Sequence, residues 1–154
     1  MSYSDKQKEI IATIEAYVKE LMDPANPNIK VHDWKHAFRT RDWAVRIAKK
    51  EQYENVFLAE CAALLHDIGK LEELEATTRI KGTQKGQLTG HLVLSILFVS
   101  EKMIELHFDT LLKNKLLHMM VSHHGKVEYG SPKEPMFPEA LAVYHADEMS
   151  SKLA

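Results

Sequence analysis

The sequence predicts an all-α domain of about six helices, and three observations carry that prediction. Apolar residues recur at helical spacing in one window after another. No alternating strand pattern runs longer than a few residues, and there is no internal repeat or low-complexity tract. Clusters of Gly, Pro and Asn punctuate the helical windows. At 154 residues, 45% apolar and 27% charged, the chain reads as one domain, large enough for a substantial core without cross-links.

The elements follow in order. Ser4 is a plausible N-cap, with Gln7 in the capping-box position. Ile10, Ile11, Ile14, Tyr17, Val18 and Leu21 then recur on one inward face. Two prolines and two asparagines within residues 23–28 stop this helix. A second helix spans 33–50, burying Trp34, Ala37, Phe38, Trp43, Ala44, Ile47 and Ala48, with Arg39, Arg41, Arg46 and Lys49 on its other faces. After Tyr53-Glu54-Asn55 comes a third helix, 56–67. Glu60 is its single charge before His66, so it belongs largely inside the core, and Gly69 closes it.

Residues 70–90 turn polar, with Thr77-Thr78, Gly82, Gly86 and Gly90 as breakers. They read as an irregular segment over a site mouth, with one short helix. Segments this long usually serve as lids or binding loops. A helix over 91–107 buries Leu92, Ile96, Val99, Met103 and Leu106. Asp109 or Thr110 caps the next, where Leu112, Leu116, Met119, Met120 and Val121 fill the core and lead to Ser122-His123-His124-Gly125. Residues 126–138 form a Gly- and Pro-rich loop. The last helix, 139–153, packs Ala140, Leu141, Val143, Tyr144 and Ala146 inward, with Asp147 following. Residues 1–28 are thus a helix and linker, and 32–154 a core that carries the motifs.

Formal net charge is -2, so no basic field advertises nucleic acid, although a local basic strip could guide a phosphate. Cys61 is the one cysteine, a small core residue that forms no disulfide framework and suits a reducing compartment. The N-terminus is polar and lacks a signal-peptide core, and no stretch approaches a membrane span. The expected location is the cytoplasm, with no membrane partner.

Chemistry concentrates where the apolar run ends in His66-Asp67. An ionised carboxylate there loses much of its hydration, a cost of several kcal/mol that a bound cation would offset. A buried His–Asp hydrogen bond is an equal alternative on this segment alone. The other histidines shift the balance. His36 lies on the second helix, His91 starts the fourth, His123 and His124 end the fifth, and Asp147 is on the last. Several sit at helix ends beside Gly69, Gly90 and Gly125, where side chains of separate helices can converge. More than four such ligands suggest two divalent metals, with Mn, Fe, Co, Ni and Zn all compatible. Two metals can clamp a phosphate and activate a water. A zinc finger is excluded by the lack of a second cysteine. His32 lines the mouth or merely precedes its helix, His107 and His118 read as surface or helix-end residues, and His145 lies on another helical face from Asp147.

His36, then His66-Asp67 in Leu-Leu-His-Asp-Ile-Gly-Lys, then Asp147 in His145-Ala146-Asp147 resemble the signature of the HD-domain metal-dependent phosphohydrolases. His91 and His123-His124 resemble the version that holds two metals. Thr89-Gly90-His91, the run from Ser122 to Pro132 and the closing Tyr-X-Ala-Asp helix are similar to the HD domain of the YhaM-type 3′→5′ exoribonucleases, from about His32 onward. Those nucleases carry an oligonucleotide-binding β-barrel ahead of that domain, where this sequence has one helix.

The resemblance implies a single HD domain that hydrolyses a phosphodiester or phosphomonoester by metal-activated water. The substrate would be a nucleotide or a short oligonucleotide, short single-stranded RNA included. It implies His36, His66, Asp67, His91, His123, His124 and Asp147 as metal ligands, with Asp67 bridging. His36, His66 and Asp147 would stand on one side, and His91, His123 and His124 on the other. Lys70 would stabilise the transferring phosphate, with Arg39 a second candidate for that task. Lys126, in the loop with Tyr129 and Lys133, could contact base and phosphate. The alternative function is a non-catalytic HD fold that binds a nucleotide or a partner as a regulatory module.

Overall fold

The computed structural model describes residues 2–23, 34–76 and 79–154. The expected stop at 24–28, His32, Asp33 and the Thr77-Thr78 breaker lie outside the described residues. The elements are α1 (Asp5–Leu21), α2 (Trp34–Lys50), α3 (Val56–Leu65), a one-turn α4 (Lys70–Glu73), β1 (Leu74–Ala76), β2 (Ile80–Gly82), α5 (Gln84–Glu105), α6 (Thr110–Ser122) and α7 (Pro138–Lys152). The all-α expectation holds. The hairpin β1–β2, paired antiparallel from Leu74↔Gly82 to Ala76↔Ile80, is the one sheet among the described residues.

A helix that is apolar all round has to be surrounded, and α3 is. Every residue from Leu58 to Leu65 is buried, and α1, α2, α6 and α7 all pack on it. Small side chains permit the close approach: Ala37, Ala44, Ala48, Ala59, Ala62, Ala63, Ala140 and Ala146 are all buried. Both ends of α3 are anchored. At its start the Asn55 side chain accepts from Leu58 N at 3.0 Å, and Glu139 of α7 accepts from Asn55 N at 2.8 Å. The Ser4–Gln7 capping box of α1 is complete.

Glu60, the charge on α3, accepts from the Tyr3 hydroxyl at 2.6 Å and from Arg41 at 3.3 Å, while Arg41 also holds Glu15 of α1. Arg41 therefore belongs to a partly buried ion network rather than to a solvated face. The paired partners meet the demand of a carboxylate taken out of water. Burial beside Glu60 pushes the Cys61 thiol up to about 12, which leaves it a packing group.

The third helix is shorter than predicted. It ends at Leu65, and His66 to Gly69 form a turn that leads into α4. Gly69 does not close it by a left-handed conformation, since its φ is -67°. A Cβ there would stand 2.2 Å from His91 O and 2.5 Å from Ser95 N. Glycine is needed because the α5 backbone presses on this turn. Ser95 locks the contact, accepting from Gly69 N at 2.8 Å and donating to His66 O at 3.2 Å.

In the segment expected to be irregular, 70–90, the described residues form α4, the strands β1 and β2 and the first turns of α5. Thr83 caps α5 by accepting from Gly86 N, and Gly86 is a buried helical residue, not a breaker. Gly90 does break the helix, with φ 73° and ψ 156°. That is why the periodic pattern is legible only from His91 onward. Tyr17, Leu106, Leu112 and Leu141, expected inside, are exposed. Tyr17 nevertheless stacks on Phe98 of α5, with ring centroids 5.9 Å apart.

Candidate metal centre

Five histidines reach one place from α2, the turn after α3, α5 and the end of α6. His66 and His123 each follow the last residue of a helix with αR backbone. Their rings therefore fold back on the helix end: Nδ1 donates to Ala63 O at 2.7 Å in one and to Met120 O at 2.6 Å in the other. His124 Nδ1 donates to Tyr129 O at 3.0 Å. His91 Nδ1 lies 3.2 Å from a Glu73 oxygen, and His36 Nδ1 lies 3.1 Å from Ser150 Oγ. Carbonyl oxygens only accept, so His66, His123 and His124 carry their proton on Nδ1 and turn Nε2 to the cluster.

The Nε2 atoms meet in two pairs. His36 and His66 face each other at 3.3 Å, and so do His91 and His124. Asp67 stands between the pairs with one oxygen toward each. Oδ2 lies 3.3 Å from His66 and 3.6 Å from His36, and Oδ1 lies 3.6 Å from both His91 and His123. Asp147, from α7, places Oδ1 3.0 Å from His36 Nε2 and 3.4 Å from His66 Nε2. Lys70 Nζ sits 2.6 Å from Asp67 Oδ2.

The electrostatics are those of cations and anions crowded out of water. Burial alone would push His66 down, but Asp67 and Asp147 beside it push it up to about 10. Burial would raise Asp147, yet His36 and His66 hold its carboxyl well below the usual carboxylate range. Burial lowers His91, His123 and His124, which favours their neutral form, the one with a lone pair to offer.

The donors suit a divalent cation. Three groups have ligand atoms within 4.8 Å of one another: His91–His123–His124, His36–His66–Asp67 and His66–His123–Asp147. His123 Nε2 is fully buried and has no hydrogen-bond partner among the described residues. A buried ring nitrogen left in that state is costly, and a cation would satisfy it. The Nε2 atoms of His91 and His124, facing each other at 3.3 Å, make the same demand.

The remaining candidates lie outside this cluster. Arg39, one turn on from His36, is exposed, as is Lys126, whose ammonium lies 5.8 Å from the Tyr129 ring centroid. His145 is exposed and faces Glu148. His107 is exposed at the end of α5, whereas His118 is partly buried and accepts from Met136 N at 3.1 Å, tying down the loop before α7. Sequence reasoning missed Glu73, Ser95 and Ser150. Their partners are 18, 26 and 114 residues away, so no local pattern marks them. A cavity of about 700 Å³ lined by Tyr3, Tyr53, Asn55 and Phe57 lies at the other end of α3 and has no part in the cluster.

Comparison with known proteins agrees with this geometry. The family model for the HD domain matches residues 33–152. The chain is similar to the 3'-5' exoribonuclease YhaM of Bacillus subtilis (strain 168), 36% identical over 96 residues, covering 62% of this chain and 31% of the relative. It is similar to YhaM of Bacillus pumilus at 37% over 90 residues, covering 58% of this chain and 29% of that one. The matched stretch spans about a third of the length of these curated relatives. Among solved structures, an HD superfamily hydrolase from an uncultured Thermotogales bacterium superposes with TM-score 0.64 at 22% identity, covering 91% of this chain and 67% of that one. Bacillus subtilis YpgQ, solved in complex with ADP, gives 0.59 at 20% identity, covering 94% of this chain and 60% of that one. At these identities the two structures speak for the fold.

Proposed function

Because the chain belongs to the HD domain family, we propose that it is a metal-dependent phosphohydrolase that cleaves a phosphodiester or phosphomonoester of a nucleotide or short oligonucleotide. One observation carries this reading: Asp67 turns an oxygen to each of two groups of imidazole nitrogens. In this reading Asp67 is shared by two cations. His36, His66 and Asp147 serve one of them, and His91, His123 and His124 the other. Bound divalent cations, from among Mn, Fe, Co, Ni and Zn, would supply a water of lowered pKa and charge neutralisation for the phosphate.

The chain's own residues do the rest. The Nδ1 tethers hold the rings in place before any ligand arrives, so little reorganisation accompanies binding. Asp147 holds His36 and His66 in register. Lys70 brings an ammonium next to Asp67 and supplies positive charge beside a phosphate oxygen. Arg39 and Lys126, both exposed, would attract the substrate's remaining phosphates. Tyr129, 61% exposed next to Lys126, offers a face for a base. The names of the curated relatives point to RNA as the polymer to test first. A free buried Cys61 suits work in the cytoplasm.

The test is metal analysis of purified protein, followed by turnover with Mn²⁺ or Ni²⁺ on bis-p-nitrophenyl phosphate, a nucleotide panel and a short RNA. Wild type is expected to hold two equivalents and to turn over at least one of these substrates. Asp67→Ala is expected to lose bound metal and ~100-fold or more of the rate. Tight nucleotide binding in excess metal, without turnover by wild type, would replace hydrolysis with the regulatory-module reading.

A further inference from the structure

We propose that Glu73 is a positioning residue that sets the ring of His91 for metal, and so decides whether the His91–His123–His124 half of the centre fills. The proposal rests on the metal-centre reading above and adds a residue that neither the motifs nor the ligand groups include. Among the five cluster histidines, His91 is the one whose Nδ1 faces a carboxylate; three of the others meet carbonyls and one a hydroxyl. Glu73 grips His91 twice. Oε1 accepts from the His91 backbone N–H at 3.0 Å and lies in hydrogen-bond geometry with Nδ1 at 3.3 Å, while Oε2 lies 3.2 Å from Nδ1. A carboxylate offers acceptors to both, so Nδ1 must carry the proton and Nε2 must face His124 and Asp67 with its lone pair. The negative charge also raises the basicity of Nε2 toward a cation.

Glu73 is itself fixed. It ends α4, its carbonyl accepts from Thr83 N at 2.9 Å, and Gly86 packs so tightly on its backbone that a Cβ there would stand 2.3 Å from Glu73 O. The need for this brace is local. His91 directly follows the broken helical turn at Gly90. It therefore lacks the i−3 carbonyl that holds His66 and His123, and a side chain from elsewhere has to take its place.

Glu73→Gln is the sharp test because it keeps size and reverses one polarity. With its oxygen kept on the His91 backbone N–H, the amide puts an N–H donor where Oε2 stood, 3.2 Å from Nδ1, which opposes a proton on Nδ1 and favours one on Nε2, the atom that must bind metal. Two readouts are taken on wild type, Glu73→Gln and Glu73→Asp. The first is the imidazole ¹⁵N spectrum of metal-free protein with labelled histidine, in which protonated and unprotonated ring nitrogens are well separated. The second is a Mn²⁺ titration with bound metal counted after desalting.

Wild type and Glu73→Asp are expected to show His91 protonated on Nδ1. Glu73→Gln is expected to shift the proton to Nε2 and to weaken the second equivalent of Mn²⁺ by about 10-fold or more, with the first equivalent and the metal-free melting temperature unchanged. An unshifted His91 spectrum together with two undiminished equivalents in Glu73→Gln would overturn the role of Glu73 alone. A wild type that takes up no Mn²⁺ would instead overturn the metal-centre reading.

Discussion

His66 is fully buried between two carboxylates, and its Nε2 is the atom for which a proton and a cation compete. Its pKa of about 10 in the folded, metal-free protein exceeds the ordinary 6.5. A group raised in this way stabilises the fold fully below 6.5, and the contribution is lost as pH climbs through about 10. Metal uptake must expel that proton, so affinity moves in the opposite sense and rises over the same window. Chelator-treated protein is expected to lose melting temperature from pH 7 to 10. Calorimetric titration with Mn²⁺ in buffers of different ionisation enthalpy is expected to show proton release. At this scale the clustered side chains were legible in the sequence, because imidazoles and carboxylates at helix ends beside an apolar run announce their chemistry by type alone. Ser95, Ser150 and Glu73 were not legible, since a serine or glutamate gains meaning only from a partner brought close by folding.

Elements place these residues, and breaks in the elements matter as much as the helices. The main helices of the core were readable from their 3.6-residue period, since burial on one face leaves that imprint. The segment before His91 was not, because a one-turn helix, a hairpin of three-residue strands and a kinked helical start are too short to show any period. Gly90 illustrates the point: the boundary expected there is a sharp kink between the two helical stretches of α5. Its φ of 73° with ψ of 156° is a conformation that glycine alone adopts readily. No neighbouring atom lies within 4 Å of a Cβ there, so Gly90→Ala isolates the backbone strain from any clash. That variant is expected to lose ~1–3 kcal/mol in denaturant unfolding and to bind metal more weakly through the displaced start of His91.

For the whole molecule, the cluster is a junction. Its imidazoles and carboxylates come from α2, the turn after α3, α5, the end of α6, and α7, so cations there would tie together most of the layers around the core. Binding to the folded state alone at 100 times Kd adds about 2.7 kcal/mol. For a chain of this size that raises the melting temperature by ~5–10 °C. A thermal scan with Mn²⁺ against EDTA is expected to show this shift, and Asp67→Ala to abolish it.

The network of Tyr3, Glu15, Arg41 and Glu60 makes α1 a partner of the core rather than an appendage. Ile11 and Val18 of α1 are buried where it packs on α3. A shortened version prepared for crystallisation from α2 onward would therefore strip Glu60 of its phenol and bare an oily flank. Such a trimmed protein should be sticky at millimolar concentrations unless that flank is repainted with polar residues.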